Sequence, residues 1–286
     1  MKVSVIIPTF NDGDRLQQCL TALSHQTYKD YEIIVVDNNS TEDIYSICNK
    51  LGVRYCFELK PGNNAARNKG IENASGEIIA ITDTDCIPDA NWIVEGVRSL
   101  QEHPRAGVVG GAINLFAKGK RFTPIEYADF LSYLRQKEYC EQEHYAAGAN
   151  LFTWRKVIDR VGGFEDRLLN MGDKEWGQRV HAAGFEVIYC PTAVVWHPAR
   201  ATLRELLSKA RRQTRANWKL QQLKGQKVSI SLKQFLPLGL RFWRMVLRDE
   251  TLPNLVERLQ FGWVIHRLKW AIACQQLQLL LSPQNK

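Results

Sequence analysis

The stretch Ile78-Ile79-Ala80-Ile81-Thr82-Asp83-Thr84-Asp85 runs from apolar, mostly β-branched residues straight into two carboxylates. A short apolar run that ends on polar residues reads as a buried strand. In an extended backbone residues i and i+2 face the same way, so Asp83 and Asp85 converge on one point. Two adjacent carboxylates repel unless a cation lies between them. A hard divalent ion, Mg²⁺ or Mn²⁺, suits such oxygen ligands, with phosphate oxygens completing its shell. The alternative is a polar turn in which one Asp caps the next helix. D-x-D alone is too common a tripeptide to decide between them.

Upstream, the runs Val3–Ile7, Glu32–Val36 and Val53–Phe57 alternate with segments of helical period. Leu16, Cys19, Leu20 and Leu23 carry the first; Ile44 and Ile47, after Ser40-Thr41-Glu42-Asp43, carry the second; Ala65–Asn73 is the third. This order predicts an α/β fold, a mostly parallel sheet with helices on both faces. Ligands of such sheets bind beyond the carboxyl ends of the strands. The first strand ends in Pro8-Thr9-Phe10-Asn11 and the second in Asp37-Asn38-Asn39-Ser40, so polar groups gather at the edge that carries Asp83 and Asp85. An Asp in Asp37's place can accept from a nucleobase N–H, or simply form a turn. The segment from Gly62 to Gly70 sets small residues, Asn64, Arg67 and Lys69 at a helix start, which suits approach to phosphates. An ordinary loop and amphipathic helix fits it too. No G-x-G-x-x-G follows the first strand, which argues against a dinucleotide-dependent oxidoreductase.

Beyond residue 106 the pattern is mixed. Val108–Gly111 reads as a strand end and Thr123–Tyr139 as one helix carrying Ile125, Phe130, Leu131 and Leu134. Lys174–Ala183 reads as a short helix, followed by strands Glu186–Cys190 and Ala193–Trp196 parted by Pro191. After Arg200 the chain is helical and basic.

Six segments in order resemble the signatures of glycosyltransferase family 2. They are Val5–Asn11, Val35–Ser40, Ala66–Gly70, Thr82–Asp85, Gly162–Asp166 and Gly172–Arg179. Each is weak alone. The resemblance, over about residues 1–200, implies a GT-A fold, a Rossmann-like mixed sheet that binds a nucleoside-diphosphate sugar. It also implies inversion at the anomeric carbon. By the same matching Pro8, Thr9 and Asp37 fall where the family holds base and ribose, and Phe10, Asn39, Asn64, Arg67 and Thr84 are placed with the donor. Asp83 and Asp85 fall on the metal motif, Asp85 as the more direct ligand, and His197 on a late histidine near metal or diphosphate. Asp173 falls on the general base, with Glu175 as its rival; capping the following helix is Asp173's other reading. A base there would take the acceptor hydroxyl's proton.

Three departures stand out. Asn38 replaces a second acid, Phe10 a common tyrosine, and Gly172 the glutamate before the base. The first and last motivate a rival reading, a catalytically degenerate partner subunit that binds nucleotide sugar. The Q-x-x-R-W motif of processive synthases is only half matched by Gln213-Thr214-Arg215-Ala216-Asn217-Trp218. Transfer of a single sugar is therefore expected.

Residues 1–199 hold 21 Lys/Arg against 26 Asp/Glu, a net −5, while residues 200–286 hold 17 against 4, a net +13. The expected division is a catalytic domain at 1–200, donor-binding to about 105 and acceptor-binding after it, and a basic helical extension at 201–286. Residues 202–224 pattern as a basic amphipathic helix with Arg211, Arg212 and Arg215; Phe261, Ile265, Leu268 and Ile272 form a second apolar stripe, and Trp243, Trp263 and Trp270 recur nearby. Packing on the protein or docking on an anionic membrane both fit. The 7 cysteines form no C-x-x-C pair and read as reduced packing thiols. With neither an apolar window of membrane length nor an export signal in view, the expectation is a cytoplasmic protein, peripheral on the inner face of the plasma membrane. Expected partners are a UDP-, GDP- or dTDP-sugar, a sugar or lipid-linked acceptor and a second copy of the chain in a homo-oligomer. Nucleic acid is not among them.

Overall fold

Val3–Thr9 forms β1, and every one of its residues is buried in the computed structural model, which describes residues 1–132, 135–223, 225 and 235–282. A strand buried on both faces needs cover on both. Val3, Val5 and Ile7 point into one core with α1 (Gly13–Ser24), α2 (Ile44–Leu51) and α4 (Trp92–Glu102). Ile6 points into a second core with α3 (Asn63–Asn73), α7 (Arg155–Val161) and α8 (Gly172–Ala182). Each such side chain contributes about 1.5–3 kcal/mol by leaving water.

β1 pairs in parallel with β2 (Tyr31–Asp37) and β4 (Ile78–Thr82), and β2 with β3 (Arg54–Phe57). The other strands are β5 (Ile87–Pro88), β6 (Ala106–Phe116), β7 (Asn150–Trp154) and β8 (Glu186–Pro198). They complete an eight-stranded sheet in the order β3-β2-β1-β4-β7-β6-β8-β5. β7 runs antiparallel to β4 and β6, so the sheet is mixed. Asn150 fastens this half: its Oδ1 accepts from Trp92 Nε1 at 2.8 Å and its Nδ2 donates to Ala112 O and Ala193 O, both at 2.8 Å.

Three expected elements come out differently: Val108–Gly111, read as a strand end, lies in the middle of β6. The helix expected over Thr123–Tyr139 is two, α5 (Pro124–Ser132) and α6 (Gln136–Glu143); Leu134 lies outside the described residues. Gln136 is drawn inward, donating to Asn150 O and accepting from Ala147 N, both at 2.9 Å. That pull sets α6's course. The two strands expected around Pro191 are one, β8. β5 pairs with β8 at Val195 and Trp196, and Pro191 is exposed outside that pairing, where a missing N–H is tolerated.

By its contacts the chain divides into Met1–Asn114 with Leu134–His197, and Leu115–Tyr133 with Pro198–Lys286. Residues 115–133, the last two residues of β6 included, thus group with the basic tail rather than with the rest of the sheet. In the second unit α5, α9 (Leu203–Leu223), α10 (Leu240–Leu247) and α11 (Leu255–Leu281) enclose Tyr127, Leu206, Val246, Phe261 and Leu268. Reciprocal caps start two of these helices: Thr123 with Glu126 before α5, and Thr202 with Glu205 at α9. All seven cysteines are free, and five are buried.

Candidate active site

The carboxyl ends of β1, β2 and β4 form one edge. Thr9 and Asp37 are paired in register, and Asn38 N donates to Thr9 O at 2.8 Å. Asp37 is buried, its Oδ1 accepting from Ser40 N at 2.9 Å and its Oδ2 from Tyr55 Oη at 3.0 Å. Burial, together with that bond to Asp37, pushes the Tyr55 phenol up to about 12. Asn11 (φ 49°) and Asn39 (φ 66°) take left-handed conformations that asparagine tolerates. They turn the two strand ends toward each other, with Asn11 Oδ1 accepting from Thr41 N at 2.7 Å. Phe10 stands 59% exposed above this edge, and Thr84 Oγ1 donates to Pro8 O at 2.6 Å.

Asn38 is a staple. Its Nδ2 donates to Glu58 O (3.0 Å) and Lys60 O (2.7 Å), and its Oδ1 accepts from Gly62 N at 2.7 Å. A carboxylate could not donate to those two carbonyls. The departure at this position is therefore a packing requirement of the loop before α3.

Arg67 of α3 is buried, and its Nη2 reaches Asp83 Oδ1 at 3.3 Å. Its guanidinium lies over the Phe164 ring, 5.6 Å from the centroid. Burial pushes the Asp83 carboxyl above its ordinary range against the pull of Arg67 and His197, with Asp85 and Asp173 adding to the rise. That burial is a matter of surrounding protein, since 31% of the side-chain surface stays open. Asp85 Oδ2 lies 3.2 Å from Nε2 of the buried His197. Three carboxylates, one arginine and one histidine therefore share one field. Two buried polar atoms at this edge, Thr9 Oγ1 and Arg67 Nε, have no hydrogen-bond partner. Buried groups in that state normally find one in a ligand or in water.

Asp173 is the second residue of α8, whose cap is Met171, so it is not the helix cap that the spacing also allowed. Its Oδ2 accepts from Gly148 N at 3.1 Å and its Oδ1 from Lys174 N at 2.9 Å. Glu175 turns away into a bidentate pair with Arg179, at 2.9 and 3.0 Å. Asn64 donates to Leu168 O (2.5 Å) and Glu165 O (3.2 Å), so its amide holds the loop that leads into Asp173. A Cβ on Gly172 would overlap that amide, which explains why no glutamate fits before Asp173.

Gly148 is a position of the candidate site that the sequence alone did not single out. A Cβ there would overlap the Arg67 guanidinium, while its N–H holds Asp173. The signal was present in the run Ala146-Ala147-Gly148-Ala149 just before β7. Among the described residues no group of three or more His, Cys, Asp or Glu stands ready to hold a metal. An ion here would take one or two protein ligands and the rest from a substrate, which is how Mg²⁺ commonly binds with phosphates. The donor set fits such an ion.

The model of glycosyl transferase family 2 matches residues 4–162. This chain belongs to that family. The glycosyltransferase is 34% identical over 215 residues to glycosyltransferase AglE of Haloferax volcanii, covering 72% of this chain and 70% of the relative. It is 26% identical over 185 residues to the glucosyl-dolichyl phosphate glucuronosyltransferase of the same organism, covering 61% of this chain and 59% of that one. Its fold resembles the Pyrobaculum calidifontis mannosyltransferase PcManGT, solved in complex with GDP-Man and Mn²⁺, with a TM-score of 0.67 at 18% identity over 98% of this chain and 87% of that one. The sheet and its flanking helices are thus a GT-A fold.

Proposed function

We propose that this glycosyltransferase moves one sugar from a nucleoside-diphosphate sugar to a hydroxyl of a sugar or lipid-linked acceptor, with inversion and with divalent metal. The observation that carries this reading is the meeting of Asp83, Asp85, Arg67 and Asp173 at one strand edge beside two unpartnered buried polar atoms. Asp37 keeps acceptor lone pairs for a base or ribose after its two bonds to Ser40 and Tyr55. Thr9 Oγ1 and Arg67 Nε would find their partners in the donor. Asp85, with Asp83 beside it, would hold Mn²⁺ or Mg²⁺, which supplies charge stabilisation to the departing diphosphate. Arg67 supplies a fixed positive charge at the same place.

Asp173 acts as the base, taking the proton of the attacking hydroxyl as the new glycosidic bond forms. Gly148 N–H and Lys174 N–H fix its carboxylate, whereas Glu175 is committed to Arg179. The half-matched processive motif supports single transfer. Arg215 Nη1 donates to Gln275 Oε1 at 3.0 Å and Trp218 is buried, so α9 spends these residues on helix packing. The two departures behind the non-catalytic rival, Asn38 and Gly172, are each accounted for by packing. The dolichyl-linked substrate in a relative's name supports a lipid-linked acceptor here.

A thermal-shift panel of UDP-, GDP- and dTDP-sugars with and without Mn²⁺ tests the reading. One donor should stabilise the protein by about 2.7 kcal/mol at a hundredfold excess over its Kd with metal, and by less at the same concentration without it. A panel in which no nucleotide sugar shifts the melting temperature rules the reading out.

A further inference from the structure

Helix α11 is apolar on two opposite faces. Phe261, Leu268 and, half-buried, Ile265 and Ile272 face the core of the second unit. The opposite face repeats every seven residues: Val256 is 62% exposed, Trp263 51%, Trp270 44% and Leu277 41%. Leu259 and Leu281, 47% and 73% exposed, lie on the same stripe. At 1.5 Å per residue it runs roughly 38 Å, far beyond the scattered single hydrophobes that need no explanation. A helix apolar all round wants cover on all sides.

Charge says what the cover is. Arg267 lies on the stripe, its guanidinium 5.5 Å from the Trp263 ring centroid. A groove of about 420 Å³ between α9 and α11 is lined by Arg211 from one helix and by Arg267, Trp270 and Cys274 from the other. Arginines and tryptophans therefore open to the same side. Beyond Glu257 the chain has no acidic residue, and Glu257 itself is held by Arg121 at 2.7 and 2.8 Å. A second copy on this face would set two positive surfaces against each other. No described helix is long and apolar enough to cross a membrane.

We infer that the outer face of α11, with Arg211 and Arg267, docks on the surface of an anionic lipid bilayer. The tryptophans and leucines seat at the headgroup level while the arginines reach lipid phosphates. The exposed basic face of α9 alone would be a solvated face; the apolar stripe beside it gives the charge something to hold.

Full-length protein should sediment with vesicles of phosphatidylcholine and phosphatidylglycerol and much less with phosphatidylcholine alone. Arg211→Gln with Arg267→Gln should weaken this about thirtyfold. Trp263→Ser with Trp270→Ser should weaken it at least tenfold, with melting temperature and nucleotide-sugar shift kept. Should that double variant fail to fold, the wild type still decides the matter. Cys274 is the exposed thiol, and its maleimide labelling, followed by peptide mass, should slow with anionic vesicles only. Equal sedimentation with both vesicle types overturns the inference, as does labelling of Cys274 unchanged by vesicles. A dimer that Trp263→Ser and Trp270→Ser split, without any vesicle binding, would assign the face to a second copy instead.

Discussion

Arg67–Asp83 in the first unit and Lys209–Asp129 in the second are both ion pairs with a buried cation, yet they are built to opposite ends. Asp129 is 0% exposed and accepts from Lys209 Nζ at 2.7 Å and from Arg200 N at 2.9 Å. Asp83 is 31% exposed, shares its field with Asp85 and Asp173, and faces an arginine whose Nε lacks a partner. One pair is closed and satisfied within its own fold. The other carries surplus negative charge and spare donors. The contrast separates a scaffold from a site: a buried charge balanced locally holds structure, and one left unbalanced waits for a ligand.

The largest effect expected from this contrast is catalytic. Asp173→Asn should reduce transfer by about 10² to 10⁴-fold while leaving donor binding and melting temperature nearly unchanged. Single-turnover transfer beside donor titration checks it, with Glu175→Gln as the comparison. If Glu175→Gln is the inactive variant and Asp173→Asn the active one, the base is two residues further on.

Next in size is stability. Asp129→Asn strands the Lys209 charge and should cost about 3–5 kcal/mol of the stability of the helical unit, read by urea unfolding. Asp83→Asn should cost less, because Asp85 and Asp173 remain in the same field to balance Arg67, and should weaken donor binding instead. Equal stability losses would erase the distinction between the pairs.

A smaller effect follows from pH. Burial lowers Lys209 from 10.5 to about 8 against the pull of Asp129, with Arg200 and Arg212 adding to the lowering. Between those values the unfolded chain holds the proton that the native one has lost, so stability should rise with pH across this window. The rise from this group is at most about 3 kcal/mol. Lys209→Arg, whose guanidinium does not titrate there, should lack it in unfolding curves taken from pH 8 to 10.5.

The smallest is Gly148→Ala. Its methyl would displace the Arg67 guanidinium, costing about 1–3 kcal/mol of stability and loosening both Arg67 and Asp173. A variant with native melting temperature and full transfer would show that the site does not depend on that close approach.

The parallel half of the sheet was legible because strand period and strand-end chemistry are local: Ile78–Asp85 announces itself within eight residues. So did the edge that gathers Thr9, Asp37 and Asp83. What stayed hidden depends on distant partners. The apolar period of Ile125 to Leu131 gives no hint that Gln136 is pulled into β7. Gly148 and Gly172 read as ordinary small residues because the side chains that forbid a Cβ belong to Arg67 and Asn64, far away in sequence. Pro191 misled because its neighbours, not its own chemistry, decide whether a strand tolerates it. On α11 the inward stripe of Phe261 and Leu268 was visible, but the outward one gains meaning only once burial shows which face is taken.

The strand-end carboxylates Asp83 and Asp85 and the metal proposed for them are the centre of the candidate site, and calorimetry on Asp85→Asn tests them most directly. Wild-type protein should bind the nucleotide of its preferred donor more tightly when Mn²⁺ is added. Asp85→Asn should melt like the wild type, bind the nucleotide only at the metal-free affinity and show no gain from Mn²⁺. A variant whose affinity still rises with Mn²⁺ by the wild-type factor would contradict the assignment of this edge as the donor and metal site.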